Sequence, residues 1–314
     1  MSIDKSLIKF FVKTTERGAY GASLFIGKND KIAADRAAVD EMRNELNKID
    51  MKGTIVIGEG EMDEAPMLYI NEKVGTNKGK EFDIAVDPLE GTNFAAKNLP
   101  NALSVLAVAE KGNLLHAPDM YMEKIAIGKN LPNNIIDLDL GVEKNIKLLA
   151  EAKSIKTSEL TACILKRPRH DSIIKSLNKM DVKINFISDG DVSGVISVAY
   201  PKKKIDIYLG IGGAPEGVLA AAALKCLNCQ MQGRLHFLKN DEKIRAKKLG
   251  IVDLNRKYDL EDMVKGDVIF CATGVTDGDF VKGIKDQGNH YYSETLTLHS
   301  NSKTNTIFKN KNKK

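Results

Sequence analysis

A chain of 314 residues is long enough for one large domain or two, and 43% hydrophobic with 28% charged residues is the balance of a soluble globular protein. The formal net charge of +5 comes from residues 303–314, whose five lysines and no acid leave 42 basic and 42 acidic residues elsewhere. We therefore expect a disordered, solubilising end at 303–314 and no nucleic-acid partner.

The sequence carries no targeting or membrane signal. The N-terminus has charges within its first five residues and no small-residue cleavage site, so it is not a signal peptide. No run of eighteen apolar residues is present, which predicts no membrane span. Cys226 and Cys229 form one C-x-x-C, but a structural zinc site needs a second ligand pair with suitable spacing, which the sequence lacks. We expect a cytoplasmic protein whose cysteines are core residues.

The first two predicted elements are helices. Residues 5–18 form the first, and the second starts at Asn29 or Asp30 and carries apolar residues at steps of three, four and three from Val39 to Ile49. Asp35 falls in the first turns of this second helix. It is either an acid that favours the positive end of the helix or a ligand.

A short apolar strand, residues 54–57, ends in an acidic cluster whose backbone is interrupted by glycines. The acids are Glu59, Glu61, Asp63 and Glu64. Glycines let the backbone bend while the strand fixes the carboxylates, which is typical of a site, although a plain acidic loop is the alternative.

The segment DPLEGTN repeats the pattern of a strand followed by acids. The alternating residues of EFDIAV predict a half-buried strand, and Pro88 should stop its pairing because proline cannot donate to the ladder. Asp87 and Glu90 are three residues apart on a turn, so both carboxylates can hold a divalent cation, while Gly91 and Thr92 can donate to an anion. The alternative is an Asp-Pro turn with solvated acids.

The remaining elements change character along the chain. Two strands are predicted at 103–109 and 114–127, and they should form a hairpin around Gly112. The N-terminal part, residues 1–140, is therefore predicted to be an α+β layer with an antiparallel sheet. Beyond it, residues 141–302 alternate strands and helices, which predicts an α/β domain with a mixed sheet. The predicted strands here are 160–165, 182–187, 205–209 and 231–237, with late strands in 267–280 and 291–299.

Three of these strands end in polar loops, KRPRH, SDGD and GIGGAPEG, which should line one crevice because open α/β sheets bind ligands beyond strand carboxyl ends. The last loop fails the dinucleotide fingerprint because Pro215 occupies the third glycine position, so a nicotinamide enzyme is not supported. Glu216 is a metal ligand at a helix start or an acid that favours the helix dipole. No zinc-binding histidine spacing and no G-x-S-x-G elbow is present.

Five acids at element ends could share one site: Asp35, Glu59, Asp87, Glu90 and Glu216. At an effective dielectric near 20, two carboxylates about 4 Å apart repel by roughly 4 kcal/mol, so clustering them requires cations. Mg²⁺ or Mn²⁺ prefers such oxygen ligands. Arg167, Arg169 and Tyr121 suit phosphate, and the combination indicates metal-assisted hydrolysis of a phosphate ester.

Six motifs in order carry a resemblance. GEGEMDEAPMLY, DPLEGTN, RPRHD, SDGDVSG, GIGGAPEG and CATGVTDGD resemble class II fructose-1,6-bisphosphatase over nearly all of residues 1–300. That family is part of the metal-dependent, lithium-sensitive sugar and inositol phosphatases, so the resemblance implies a layered α/β/α/β/α fold. It also implies a sugar bisphosphate substrate, Mn²⁺ or Mg²⁺ as cofactor, a place in gluconeogenesis and a homo-oligomer, dimer or tetramer.

The resemblance also implies roles for individual residues. Asp35 and Glu59 would bind one metal, and Asp87, Glu90 and Glu216 a second. Thr92 with Glu59 or Asp63 would orient the attacking water. The substrate contacts would be Glu90, Gly91, Thr92, Tyr121, Arg167, Pro168, Arg169, Asp189, Gly190, Asp191 and Gly213.

One position departs from the family pattern. Arg167 stands where many members have lysine, and cyanobacterial-type relatives with this arginine also hydrolyse sedoheptulose-1,7-bisphosphate, which makes that sugar a second candidate substrate. Two alternatives remain open. An inositol- or nucleotide-type phosphatase would have no use for a second phosphate-binding cluster, and a catalytically silent sugar-phosphate-binding regulator would not need Asp87 and Glu90.

Overall fold

The computed structural model describes residues 2–60, 67–248 and 250–314. The chain divides into two compact units, of which unit 1 comprises Met1–His116 and Val264–Lys314, and unit 2 comprises Ala117–Met263. This division differs from the predicted boundary near residue 140, because the end of the chain returns to the first unit. None of the helices in the described ranges has the length and apolar character needed to cross a membrane.

The helices are short to medium in length. In chain order they are α1 (Ile8–Ser23), α2 (Lys31–Leu46), α3 (Thr92–Ala96), α4 (Gly141–Lys153), α5 (Asp171–Lys179), α6 (Asp191–Ile196), α7 (Ala214–Cys226), α8 (Asn240–Lys248) and α9 (Leu260–Met263). Single 3-10 turns occupy Lys5–Leu7, Leu138–Leu140, Thr157–Glu159, Pro168–His170, Ser197–Ala199 and Pro201–Lys203.

The strands are shared between two sheets. In chain order they are β1 (Lys52–Ile57), β2 (Lys73–Val74), β3 (Glu81–Glu90), β4 (Leu103–Glu110), β5 (Tyr121–Ile127), β6 (Thr161–Leu165), β7 (Lys183–Ile187), β8 (Ile207–Gly213), β9 (Gln230–His236), β10 (Lys257–Asp259), β11 (Val268–Gly274), β12 (Lys285–Gln287), β13 (His290–His299) and β14 (Thr304–Lys313).

The sheet of unit 1 has the order β12-β13-β11-β4-β3-β1-β2, and β14 pairs with β13. It is mixed, since β1 and β3 are parallel while β3, β4, β11 and β13 pair antiparallel in turn. The predicted antiparallel sheet is therefore correct for most strand pairs but not for β1 with β3. That one parallel pair matters for the site because it brings the carboxyl ends of two strands to the same edge.

Two helices cover the core of unit 1. The side chain of Asp30 accepts a hydrogen bond from the Ala33 amide at 2.9 Å and so begins α2, as the sequence predicts. Phe11 on α1 and Met42 on α2 are fully buried against the sheet residues Ile84 and Leu106. Burying each of these side chains contributes about 1.5–3 kcal/mol, so the two helices fix the sheet on which the acids are carried.

Two N-terminal predictions are corrected by the sheet. Pairing does not stop at Pro88, because β3 passes through a bulge between Asp87 and Glu90 and then pairs again with Leu103. A bulge accommodates a residue that cannot donate. The hairpin of 103–109 with 114–127 does not form either: β4 pairs with β3 and β11, whereas β5 belongs to the sheet of unit 2.

Residues 303–314, predicted to be disordered, instead contain the whole of the strand β14. Its ten residues pair antiparallel with β13 from Thr304 to Lys313. The preceding turn is held by Asp267, whose carboxylate accepts from the Asn301 amide at 2.9 Å, and the amide of Asn310 donates to Glu16 at 2.9 Å. These contacts offset the entropy of ordering a polar segment.

Unit 2 is built on a mixed sheet with the order β10-β9-β5-β8-β6-β7. The strands β6, β7 and β8 run parallel, and β5 is antiparallel to β8, so the predicted mixed α/β sheet is confirmed. Ile125, Ile127 and Leu149 lie in a core shared with α4. Helix α7 packs on the other face. Its residues from Gly217 to Leu224 are apolar and buried, as expected for a core helix.

Candidate active site

In unit 1, the carboxyl groups of Asp35 and Glu59 contact one another. Asp35 lies at the fifth residue of α2, and Glu59 follows the end of β1. Burial raises the pKa of Asp35 above its ordinary value, and its hydrogen bond with Glu59 opposes that rise. Two carboxyl groups in contact must share a proton or a cation. The pair is therefore suited to one divalent ion with oxygen ligands.

Glu59 is held in place by the backbone around it. Its amide donates to the carbonyl of Leu68 at 3.0 Å, and a side chain at Gly58 would collide with that carbonyl. Glycine is needed here for the close approach of two backbone segments. Asp63, the alternative to Glu59 as the group that orients water, lies outside the described residues.

Asp87 sits at the same edge of the sheet as Glu59. The last paired residues of β1 and β3 are Ile57 and Ala85, which are register partners on parallel strands. Glu59 and Asp87 each follow that pair by two residues. Parallel strands carry their carboxyl ends in one direction, so this register places the two acids at neighbouring strand ends, as the sequence predicts.

Glu90 is the last residue of β3 and is buried. Gly91 next to it has φ 77°, a left-handed conformation that favours glycine, and it turns the chain into α3, whose first residue is the half-buried Thr92. The predicted run of Glu90, Gly91 and Thr92 is thus a turn that leads from a buried strand into a helix, and it leaves Thr92 accessible.

The acids of unit 1 fit a divalent cation by the chemistry of their donors, which are all carboxylate oxygens. Within residues 2–60, 67–248 and 250–314, however, no group of three or more His, Cys, Asp and Glu side chains is arranged to hold a metal. Asp35 and Glu59 are in contact with each other.

In unit 2, Tyr121 and Arg169 form a stacked pair. The guanidinium carbon of Arg169 lies 4.7 Å from the centroid of the Tyr121 ring, and its Nε–H donates to the carbonyl of Ile211 at 2.9 Å. Tyr121 is the register partner of Gly213 on β8. The structure therefore brings together three of the predicted substrate contacts, Tyr121, Arg169 and Gly213, on adjoining segments.

The loop that carries Arg169 is anchored by His170. The ring of His170 is fully buried, and its Nε2 accepts from the Ile211 amide at 2.8 Å. Its Nδ1–H therefore donates to the Leu165 carbonyl, at 2.6 Å. Burial lowers the pKa of His170 below its ordinary value, so the ring is neutral at neutral pH. His170 therefore has a structural role, which is to hold this loop in place.

Asp191 is the centre of a buried polar network. Its carboxylate is paired with the ammonium of Lys124 and accepts from the hydroxyl of Tyr208. Burial by itself would raise the pKa of Asp191, but Lys124, Tyr208 and Glu216 together hold that pKa below its ordinary value. The ionised carboxylate is thus maintained inside the protein.

Glu216 joins this network from the first turn of α7. Its carboxylate accepts from the Gly213 amide at 2.9 Å and lies 4.0 Å from the ammonium of Lys124. The same ammonium donates to the Gly213 carbonyl at 2.7 Å. A side chain at Gly212 would collide with the Asp191 carboxylate, so the glycines of GIGGAPEG make room for these charges. Glu216 thus caps its helix and belongs to the same polar network as Asp191.

The other predicted substrate contacts of unit 2 lie on two loops. Arg167 and Pro168 precede His170 after β6, and the Arg167 guanidinium donates to the Lys166 carbonyl at 3.1 Å. Asp189 and Gly190 precede α6, where Gly190 has φ 78° and turns the chain into the helix. These residues follow the carboxyl ends of the parallel strands β6 and β7, as predicted.

Lys124 was not predicted from the sequence, although a signal for it is present. In the strand YMEKIAI, Met122, Lys124 and Ala126 alternate on one buried face. A lysine at an inward position of such a strand requires a buried acid as its partner. Tyr208 carries a weaker signal, since a buried tyrosine needs only some acceptor.

The protein has a mixed α/β fold, an arginine stacked on a tyrosine, and carboxylates at strand ends. Together these features are typical of a phosphate-ester hydrolase. Comparison with known proteins is more specific. The model of the bacterial fructose-1,6-bisphosphatase family, glpX-encoded, matches residues 5–312. Fructose-1,6-bisphosphatase 1 class 2 of Escherichia coli (strain K12) is 46% identical over 308 residues, 94% of this chain and 91% of the relative. The class 2 enzyme of Haemophilus influenzae is 45% identical over 316 residues, 96% and 94% of the two chains. This chain belongs to the class 2 fructose-1,6-bisphosphatase family.

Solved structures are more distant. The alignment with the extragenic suppressor protein suhB of Bartonella henselae covers 62% of this chain and 74% of the suhB chain, with a TM-score of 0.36 and 11% identity. The inositol monophosphatase TM1415 of Thermotoga maritima covers 62% and 73%, with a TM-score of 0.31 and 15% identity. At these values the resemblance adds nothing to the fold described above.

Proposed function

We propose that this chain hydrolyses the 1-phosphate of fructose-1,6-bisphosphate to give fructose 6-phosphate and phosphate, using divalent metal. The observation that carries the proposal is the identity of 46% over 94% of the chain to a class 2 fructose-1,6-bisphosphatase. The enzyme is accordingly a phosphoric monoester hydrolase, and gluconeogenesis is the pathway to which this reaction contributes.

The metal-binding residues are proposed as membership of the family implies them. Asp35 and Glu59 would hold one ion, and Asp87, Glu90 and Glu216 a second. The contact of Asp35 with Glu59 supports the first set, because the pair is otherwise left with one shared proton. Divalent cations supply an activated water and stabilise the leaving oxygen. Mg²⁺ and Mn²⁺ are both candidates, since each prefers carboxylate oxygen ligands.

The attacking water is oriented by Thr92 together with Glu59 or Asp63. The Thr92 hydroxyl can accept from the water or donate to it, and the position of Thr92 after the turn at Gly91 leaves it accessible. A carboxylate that accepts a hydrogen bond from the same water fixes the direction of attack. Correct orientation of the water lowers the barrier, because the reacting atoms begin close to their reactive geometry.

The rest of the substrate is bound by the groups of unit 2. Arg169 uses its Nε–H within the protein, so its terminal nitrogens are the donors that can face the phosphate that is not cleaved. Arg167 assists from the same loop. Asp191 and Asp189 accept hydrogen bonds from sugar hydroxyls, because ionised carboxylates are strong acceptors.

A substrate panel tests this proposal. Phosphate release would be measured from fructose-1,6-bisphosphate, sedoheptulose-1,7-bisphosphate, inositol 1-phosphate and a nucleoside monophosphate, with Mg²⁺ and Mn²⁺ in parallel. We expect fructose-1,6-bisphosphate to have the highest kcat/KM and fructose 6-phosphate to be its product. A preference for a monophosphate would favour the inositol- or nucleotide-type alternative, and no release from any substrate would favour the silent regulator. Arg167 makes sedoheptulose-1,7-bisphosphate the second substrate to expect.

The assembly and location of the enzyme are also part of the proposal. We propose a cytoplasmic homo-oligomer, either a dimer or a tetramer. Analytical ultracentrifugation of the purified chain distinguishes these states from a monomer, and a single species at the monomer mass would contradict the proposal.

A further inference from the structure

Four lysines of unit 1 line a pocket. The pocket has a volume of about 540 Å³ and is bordered by β12, β13, β14 and the segment before β12. We name it the lysine pocket. Its residues are Lys282, Gly283, Lys285, Gln287, Tyr292, Ser293, Glu294, Lys309, Asn310 and Lys311. We propose that the lysine pocket binds a small molecule that carries two or more phosphate charges.

The strand register organises the lysines in a row. Tyr292 on β13 is the register partner of Lys285 on β12 and of Lys311 on β14. Directly opposed residues of antiparallel strands point to the same face, so Lys285, Tyr292 and Lys311 form one row across three strands. Neighbouring strands lie about 4.8 Å apart, which separates the two lysine backbones by about 10 Å. Two flexible side chains at that separation can converge on one anion.

The next row on this face contains Glu294 and its partner Lys309. The ammonium of Lys309 lies 2.8 Å from the Glu294 carboxylate, and the other oxygen of that carboxylate accepts from the Lys282 amide at 3.0 Å. Glu294 is the acid of the pocket lining, and it balances one of the four lysines. The pocket therefore keeps an excess of three positive charges.

Several of these charges lack an acidic partner. Within the described part of the chain, Lys282 and Lys285 form no ion pair, and Lys311 contacts the ring of Tyr292 at 5.8 Å. Asp286, the nearest acid in sequence to Lys285, is paired instead with Lys314 at 2.6 Å. Like charges held on one face repel unless an anion joins them. A phosphate or pyrophosphate group satisfies several ammonium donors at once.

The volume sets the size of the ligand. Pockets for small molecules have volumes of about 300–1,000 Å³, so this one admits a phosphorylated metabolite. Tyr292 adds an aromatic surface, and Gln287 adds a neutral hydrogen-bonding group beside the charges. No residue of the proposed catalytic set lines the pocket, so this inference does not depend on the proposed function.

Pyrophosphate is a suitable probe, measured by isothermal titration calorimetry with the full chain at low salt. Excess EDTA would be present, so that divalent metal cannot hold the probe at the carboxylates. We expect saturable binding, weakened at least about tenfold in Lys285→Gln/Lys311→Gln, since each charge-assisted bond contributes at least about a factor of ten. The control is Lys5→Gln/Lys303→Gln, which removes the same two charges from unit 1 outside the pocket.

The control should bind pyrophosphate within about twofold of the wild type, because long-range electrostatics alone change little at a specific site. All four substituted lysines are exposed, and thermal melts would verify that both variants fold. Fructose-1,6-bisphosphatase activity should be the same in both. Equal weakening in the two variants, or no saturable binding to the wild type, would overturn the proposal.

Discussion

Replacing Arg169 with alanine tests the role assigned to the unit 2 loop. In the wild type the guanidinium stacks on Tyr121 and donates its Nε–H to Ile211. These two contacts orient the group and leave the terminal nitrogens for a ligand. The change to alanine removes the charge without touching the carboxylates of unit 1.

The size of the effect follows from the bonds that would be lost. A hydrogen bond to a charged group contributes about 1.5–3 kcal/mol. At 1.36 kcal/mol for each factor of ten, the kcat/KM for fructose-1,6-bisphosphate should fall by about ten- to a hundredfold. The rate with p-nitrophenyl phosphate, which has no second phosphate, should change by less than about threefold, because only the uncleaved phosphate loses its donor.

A matched control is available in the same unit. Arg256 also stacks on a tyrosine, with its guanidinium 4.9 Å from the ring centroid of Tyr258, and it lies outside the proposed site. Arg256→Ala should leave both rates unchanged. Steady-state kinetics of both variants and the wild type on the two substrates measure these changes. Equal losses on both substrates in Arg169→Ala would refute the assignment of Arg169 to the distal phosphate.

Three further predictions follow from named contacts. Asp87→Ala and Glu90→Ala should each lower turnover at least about a hundredfold while thermal melts still show a folded protein, since both changes remove proposed metal ligands; turnover and metal dependence like those of the wild type would contradict this. Lys124→Met should destabilise the fold by about 3–5 kcal/mol in urea unfolding because it leaves Asp191 buried and unpaired, and adding Asp191→Asn should recover part of the loss. Burial raises the pKa of Glu16 above its unfolded value, so the folded state binds more protons and its stability falls as pH rises from the unfolded pKa through the folded pKa; Glu16→Gln should remove this decline in melts between pH 4 and 8 and be at least as stable at neutral pH.

Much of the fold could be predicted from local sequence patterns. The cap at Asp30, the existence of strand β3 and the helix-compatible start of α7 at Pro215 each depend on residues close in sequence, although β3 is buried on both faces and not half-buried as predicted. Such features are encoded within about ten residues, where propensity and periodicity are informative.

The errors of prediction came from contacts that are distant in sequence. Gly112 has φ 81° and turns the chain as a hairpin would, but β4 pairs with β11, whose residues lie about 160 positions later. A turn signal contains no information about a competing distant strand. The C-terminal lysines were similarly misread, because the cross-strand partner Glu294 and the buried Glu16 that order β14 are elsewhere in the chain.

The sequence predicted which residues form the candidate site but not how they are arranged in space. Composition and motif order pointed to Asp35, Glu59 and Asp191, but the buried ammonium of Lys124 that holds Asp191 was missed. Lys124 can be identified only from the packing of β5 against α6, which brings its ammonium to the Asp191 carboxylate. The spacing of residues along the chain does not encode this packing.

The most direct test of the central claim is the release of phosphate from fructose-1,6-bisphosphate by the purified chain, first with excess EDTA and then after Mg²⁺ or Mn²⁺ is restored. The carboxyl contact of Asp35 with Glu59 predicts that turnover is lost in EDTA and returns with the metal, and that Glu59→Gln prevents the return. Undiminished turnover in EDTA, or full recovery of Glu59→Gln on adding metal, would contradict the account.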